Sequence, residues 1–344
     1  MKKIFLIFSL MVLAGCGRLA SHDEFLLQGM TMGTHYHVNV LNQGRIGKNL
    51  PNQTELQRSI QQQLERIEML MSNWRVESEI SRFNRFKVGV PFKVDSQTYT
   101  VLKLAQEVSE LTKGAFDISV SPLTQLWGFD SQIKLPTKPT QNKISAIMRY
   151  IGYQYLILIP GSKKFQKQRP ITVNVSAIAK GYAVDQIANY LLQSGITNFL
   201  VEIGGEIRTH GVRANGSPWR IAIEQPDYSE NRLKREVERV VLLSDKAIAT
   251  SGDYRNFFTE NGQRYSHILN PITGKPVSHN TLSVSVVDVY TARADALATA
   301  LMVMGSKKGI NFCEKHRIAA YFIDRQDDSF HSVASSAFKK YLTN

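Results

Sequence analysis

The chain has 344 residues, a formal charge of +13 and a hydrophobic fraction of 43%. An apolar share of that size over this length builds a buried core and excludes a disordered or low-complexity chain. Only two cysteines are present, which excludes a disulfide-built scaffold.

The N-terminus opens with Lys2 and Lys3, followed by an apolar run from Ile4 to Leu13. A bilayer span needs roughly 20 such residues, so this run has the length of a secretion signal instead. It leads into Leu13-Ala14-Gly15-Cys16, which resembles a bacterial lipobox. Residues 1–15 are therefore expected to be a signal peptide, Cys16 to carry lipid, and residues 16–27 to tether a single domain spanning 28–344. No later segment is apolar for long enough to span a bilayer. A lipid-anchored exported protein meets little nucleic acid, so the basic charge points to anionic lipid or a polyanionic small ligand, with nucleic acid not an expected partner. Gly17 follows the cysteine where an Asp-type retention signal would stand. The expected location is the periplasmic side of the inner membrane, where the acceptors implied below reside.

Beyond the tether, a strand is predicted at His35–Val40. Thr54-Glu55-Leu56-Gln57 reads as a capping box, and Leu56, Ile60, Leu64, Ile67 and Met71 follow at helical spacing. A second helix is predicted from Ser96 to Lys113, stopped by Gly114, and a third from Ala177 to Ser194 before Gly195. Ser131 to Asn142, with Pro136 and Pro139, reads as a surface loop. Lys163 to Arg169 reads as a solvated basic stretch. Further strands are predicted at Tyr155–Ile159, Ile171–Val175, Phe199–Ile203, Trp219–Glu224, Val240–Leu243, Thr281–Val289 and Ile318–Ile323. The Ala-rich stretch from Ala292 to Met304 reads as a helix ending at Gly305. Helices and strands alternate irregularly, which predicts an α+β fold with a mixed sheet and packed helices, as one compact unit.

Within that last helix, Asp295 and Thr299 are four residues apart and share a face, so a carboxylate and a hydroxyl converge on one point. Oxygen ligands suit a hard cation such as Mg²⁺, which usually keeps a substrate phosphate in its shell. Val173-Asn174-Val175-Ser176-Ala177-Ile178-Ala179-Lys180 runs from extended chain into a helix start, aiming amides and Lys180 at an anion. Gly33 breaks the chain just before a strand, and Gly114 precedes Ala115-Phe116-Asp117. No P-loop and no Gly-x-Gly-x-x-Gly after a strand is present, so Walker-type and Rossmann nucleotide binding are both unsupported. Ser251, His267 and Asp253 lack a nucleophile elbow, so a hydrolase triad is not supported. Cys313 and His316 lack companions for a zinc site and read as core and surface of a helix.

These motifs occur in a characteristic order. It runs Thr31-Met32-Gly33-Thr34, Met71-Ser72-Asn73-Trp74, Ser81-Arg82-Phe83-Asn84, Gly114-Ala115-Phe116-Asp117, Ala179-Lys180-Gly181-Tyr182, Ile203-Gly204-Gly205-Glu206, Thr250-Ser251-Gly252-Asp253, Ser266-His267-Ile268 and Ala294-Asp295-Ala296-Leu297-Ala298-Thr299. From about Gln28 to the C-terminus this resembles the ApbE family, the FAD:protein FMN transferases once described as thiamine-biosynthesis lipoproteins. The resemblance implies that FAD is split with the help of Mg²⁺, FMN is transferred to a Thr or Ser hydroxyl of a target protein, and AMP is released. The implied acceptors are flavin-carrying subunits of sodium-pumping quinone reductases and Rnf-type complexes. It also implies that Asp295, Thr299 and the carbonyl of Ala177 hold the metal. Met32, Trp74, Ala115, Phe116, Asp117, Asn174, Lys180 and Ile268 are the implied FAD contacts. His267 has the pKa range of a general base, and metal-bound Asp295 is the other candidate. Trp74 stands where many relatives have Tyr, and Asn174 where Asp is common. Two further readings share these residues: an FAD pyrophosphatase giving FMN and AMP, and a flavin-binding lipoprotein without chemistry.

Overall fold

Helix α1 (Gln53–Met71) begins at a capping box, placed two residues earlier than the sequence reading put it: Asn52 Oδ1 accepts from Glu55 N–H, and Glu55 Oε2 accepts from Asn52 N–H. Asn is as good an N-cap as Thr, and the pair closes both orphan amides. Its apolar stripe is buried as predicted, at Leu56, Ile60, Leu64, Ile67 and Met71. Helices α2 (Glu79–Arg85), α3 (Ser96–Leu111), α4 (Ser121–Leu126) and α5 (Gln141–Met148) follow. Helix α3 stops where Lys113 and Gly114 turn left-handed, with φ of 53° and 82°. Helices α6 (Ser176–Gln193), α7 (Thr291–Met304) and α8 (Ser306–His316) come later in the chain. The computed structural model describes residues 22–43, 51–129, 138–226, 236–253, 257–260, 262–327 and 329–343. The signal peptide, Cys16 and most of the 131–142 loop lie outside them.

Eight strands form the main sheet: β1 (His22–Thr31), β2 (Thr34–Gln43), β3 (Phe199–Ile203), β4 (Glu206–His210), β5 (Ala247–Gly252), β6 (Thr281–Asp288), β7 (Ala319–Gln326) and β8 (Ser329–Ala334). They lie side by side in chain order, and every neighbouring pair is antiparallel. The α+β class and single unit are as predicted, while among the described residues every strand pairing is antiparallel and not mixed. The first strand takes in residues 22–27, which the sequence reading had given to the tether.

Both sheet faces are covered. Helices α1, α3, α6 and α7 close one face around Tyr36, Val38, Leu64, Ile187, Leu297 and Phe322. A hairpin of Trp219–Glu224 and Val237–Leu243, with Phe338, closes the other. Strand β6 is consequently buried at seven of its eight positions, the hydroxyl side chains of Thr281, Ser283 and Ser285 included. Helix α7 is buried nearly all round, because α6 packs on it as well as the sheet. That packing needs Gly181: a methyl there would lie 2.5 Å from the Thr291 carbonyl oxygen.

Residues 171–175 show strand-like alternation of buried and half-buried positions, but they pair with no strand. Side chains stand in for a ladder. Val173 O accepts from Asn73 Nδ2 and Asn84 Nδ2, both at 2.8 Å, and Val173 N–H donates to Asn84 Oδ1 at 2.8 Å. The backbone is satisfied and extended without joining a sheet.

The register gives the sheet two distinct ends. The β1–β2 turn at Met32 and Gly33, the β3–β4 turn, and Gly252 opposite Ser283 share one end. His22, Phe199 opposite His210, and Asp288 opposite Ala247 share the other.

Candidate active site

Two cavities open at the end of the sheet that carries the β1–β2 turn. The first, ≈ 410 Å³, is lined by Asp295 and Thr299 from α7, Ala177 and Lys180 from α6, and Ser251 from β5. Thr299 Oγ1 lies 3.1 Å from Ser251 Oγ. Asp295 Oδ2 accepts from Gly181 N–H at 3.1 Å. The Ala177 carbonyl lies one helical turn before that amide, and a carbonyl oxygen has two lone pairs, so it keeps capacity for a cation even with its helical bond in place. The three residues implied as metal ligands thus face one space. Among the described residues no three His, Cys, Asp or Glu side chains gather as a metal site. The donors here are a carboxylate, hydroxyls and a carbonyl, a set for a hard cation.

In the sequence, Glu206 stands out only as the end of the Ile203-Gly204-Gly205-Glu206 motif. It is buried on β4, its Oε1 2.5 Å from Lys180 Nζ, while its Oε2 is buried with no hydrogen-bond partner. Burial and the neighbouring Asp295 push the Glu206 carboxyl up, to about 8, against the pull of Lys180. Burial likewise pushes Asp295 up. Burial would push Lys180 down, but Glu206, Asp295 and Glu202 together hold it above its ordinary value. Two buried carboxylates therefore share one ammonium, and the cavity is short of positive charge. Its only sequence signal is a carboxylate ending a Gly-Gly turn.

The remaining predicted residues fall around this centre. His267 and Ile268 line the same cavity, and the His267 ring meets Phe129 edge-on. Ala115 and Phe116 form its wall next to Asp117. The Asp117 carboxylate serves as a frame: Oδ1 accepts from Ser119 N–H and Oγ, and Oδ2 from Tyr153 N–H. Asn174 Oδ1 accepts from Ser176 N–H at 2.9 Å where α6 begins. Asp253 pairs with Arg264 at 3.0 Å.

Met32 and Trp74 line a second cavity, ≈ 380 Å³, which shares Ser176 and Lys180 with the first. Trp74 is 61% exposed, so it is not core, and its ring is free to cover a flat ligand. Glu68, which the sequence reading missed, braces this wall. It accepts from Thr31 Oγ1 at 3.0 Å, Met32 N–H at 2.7 Å and Arg75 Nη2 at 2.8 Å. Met32 needs such a brace, since its φ of 49° is unfavourable for a side chain of its kind.

Residues 32–322 match the model of the ApbE family. The chain belongs to the ApbE family. It is 42% identical to an FAD:protein FMN transferase of Vibrio cholerae, over 97% of each chain. A protein of that name from Haemophilus influenzae is 38% identical over 91% of this chain and 90% of its own. Two solved structures share the fold at a TM-score of 0.84. They are the flavin transferase ApbE from Vibrio cholerae (40% identity, 93% of this chain, 100% of that one) and the apo Pseudomonas stutzeri flavinyl transferase ApbE (33%, 93% and 97%). The two cavities of this ApbE chain share the lining residues Ser176 and Lys180, at the start of α6.

Proposed function

We propose that this protein is a Mg²⁺-dependent FAD:protein FMN transferase that attaches FMN through a phosphoester to a Thr or Ser of a target protein and releases AMP. One observation carries the reading. Two cavities meet at Ser176 and Lys180, so a two-lobed ligand places its central anionic bridge against a helix N-terminus and an ammonium. FAD has that shape, with a diphosphate between two flat ring systems. Names carried by the relatives point the same way.

The cation fits the residues present. Asp295, Thr299 and the Ala177 carbonyl would hold it, and the unpartnered Glu206 Oε2 marks a place where positive charge is lacking. When bound, Mg²⁺ supplies charge neutralisation at the diphosphate oxygens. Lys180 stabilises negative charge building on the oxygen that leaves with AMP. The acceptor hydroxyl oxygen forms a bond to the FMN-side phosphorus, and the bond from that phosphorus to the bridging oxygen breaks. His267 takes the hydroxyl proton. The walls formed by Ala115, Phe116, Met32 and Trp74 hold the rings, so that positioning contributes most of the remaining acceleration.

We further propose that Cys16 anchors the protein by lipid on the periplasmic side of the inner membrane. The acceptors would be flavin-carrying subunits of sodium-pumping quinone reductase or Rnf-type complexes. Incubation with FAD, Mg²⁺ and such a subunit, followed by intact mass, tests the transfer. An acceptor heavier by one FMN with AMP in solution is the expected result. Free FMN beside an unmodified acceptor would leave only a pyrophosphatase, and intact FAD would leave only a binding protein.

A further inference from the structure

The sheet end opposite the cleft has a character of its own. A third cavity there, ≈ 230 Å³, is lined by Lys246, Arg293, Arg317 and Lys340, with Asp288 as the one carboxylate in its lining. Asp288 is already bonded to Arg293, whereas Lys246, Arg317 and Lys340 pair with no carboxylate among the described residues. Nearby acids are otherwise engaged: Glu314 accepts from Ser336 N–H, and Asp245 lies 3.6 Å from His210. Beside the cations, Val289 and Tyr290 are 48% and 55% exposed. Cations around an exposed aromatic and an exposed aliphatic side chain match the chemistry of a bilayer's headgroup layer.

Topology places this patch on the side where the chain enters. His22 starts β1 at the same sheet end as Ala247, Asp288 and Ala319, which border the patch. From Cys16 to His22 the chain reaches at most about 20 Å. Five strand spacings separate β1 from β6, roughly 24 Å along the sheet. A lipid on Cys16 therefore holds this end, and not the cleft, against the bilayer.

We propose that the sheet end bearing Lys246, Arg317, Lys340, Val289 and Tyr290 is a membrane-docking surface for anionic phospholipid, which turns the flavin-transfer cleft away from the bilayer. The proposal rests on the lipid-anchor reading for its orientation and on charge and exposure for its chemistry.

The test uses a chain starting at Gly17, which keeps every described element and lacks the lipid. It should float with phosphatidylcholine vesicles containing about one third phosphatidylglycerol at low salt, and stay unbound with phosphatidylcholine alone. Raising the salt until the Debye length is roughly 3–5 Å should release it. The variant K246E/R317E/K340E should bind about tenfold more weakly or worse. The control K87E/K163E/K164E changes net charge equally at exposed lysines elsewhere and should float like the parent. Tyr290→Trp should add an indole emission that shifts to the blue on the acidic vesicles only. Equal loss in both triple variants, equal flotation on neutral vesicles, no flotation, or no blue shift from the Tyr290→Trp variant would each overturn the proposal. The anchor itself is read separately, from the intact mass of full chain recovered from membranes, so the two ideas fail distinguishably.

Discussion

At the scale of single residues, Asp295 separates chemistry from stability. Its carboxylate is buried beside Lys180 and Glu206, so its removal strips the proposed cation site without opening a large cavity. Asp295→Ala should lower AMP release by about 100-fold or more while shifting the thermal midpoint by only a few degrees. Wild-type-like release at limiting Mg²⁺ would rule out the metal assignment. Glu68 acts one step away from the ligand, by holding Met32 and Arg75. Burial alone would raise its carboxyl, but the bonds from Met32 N–H, Arg75 and Thr31 outweigh it and hold Glu68 below its ordinary 4.5. A depressed carboxyl contributes stability that is complete above its unfolded pKa and fades as pH falls through the folded one. Glu68→Gln should therefore raise KM for FAD about tenfold near neutral pH with little change in kcat. Its stability deficit against wild type should shrink as pH drops below about 4.5. A deficit independent of pH would show that charge at Glu68 is not what braces the wall. Legibility at this scale followed sequence distance. Asp295 and Thr299 were readable because helical spacing alone brings them together. Ser251, Glu206 and Glu68 were not, since each meets its partner across 26 to 48 residues: Glu68 to Met32 spans 36, Lys180 to Glu206 spans 26, and Ser251 to Thr299 spans 48. Only the folded sheet supplies those contacts.

Whole elements were legible where one periodicity dominated. The stripe of α1, the β3 strand and the α7 helix ending at Gly305 sit as predicted within a residue or two. Residues 171–175 misled because asparagine side chains replace a neighbouring strand. Lys167 misled too: read as solvated, it is buried over the Phe83 ring with Nζ donating to Asn84 O at 2.6 Å. Helix α6 comes against α7 at Gly181, and the same residue's amide orients Asp295. Gly181→Ala should push the helices apart, cost about 1–3 kcal/mol of stability and depress turnover together with it. Denaturant unfolding with parallel AMP assays checks this. Loss of stability with full turnover would separate the packing from the site.

At the scale of the molecule, eight strands in chain order make one continuous layer, and the two cavities draw their linings from separate parts of it. Met32 comes from the β1–β2 turn, Glu206 and Ser251 from the middle strands, and Asp295 from the helix following β6. A ligand spanning both cavities therefore ties together segments distant in the chain, and its binding energy adds to a single unfolding transition. Saturation at about 100 times Kd should add roughly 2.7 kcal/mol, or about 4 °C in Tm for a chain of this size. AMP and FMN, each confined to one lobe, should give smaller shifts even when added together, because neither brings the bridging diphosphate to Ser176 and Lys180. Chelating divalent cations should shrink the FAD shift more than the FMN or AMP shift, since the cation site faces the bridge. Thermal scans with each ligand, with and without Mg²⁺, check this. A shift for FMN plus AMP equal to that for FAD would show that the junction of the cavities contributes nothing, and with it the placement of the diphosphate would fall.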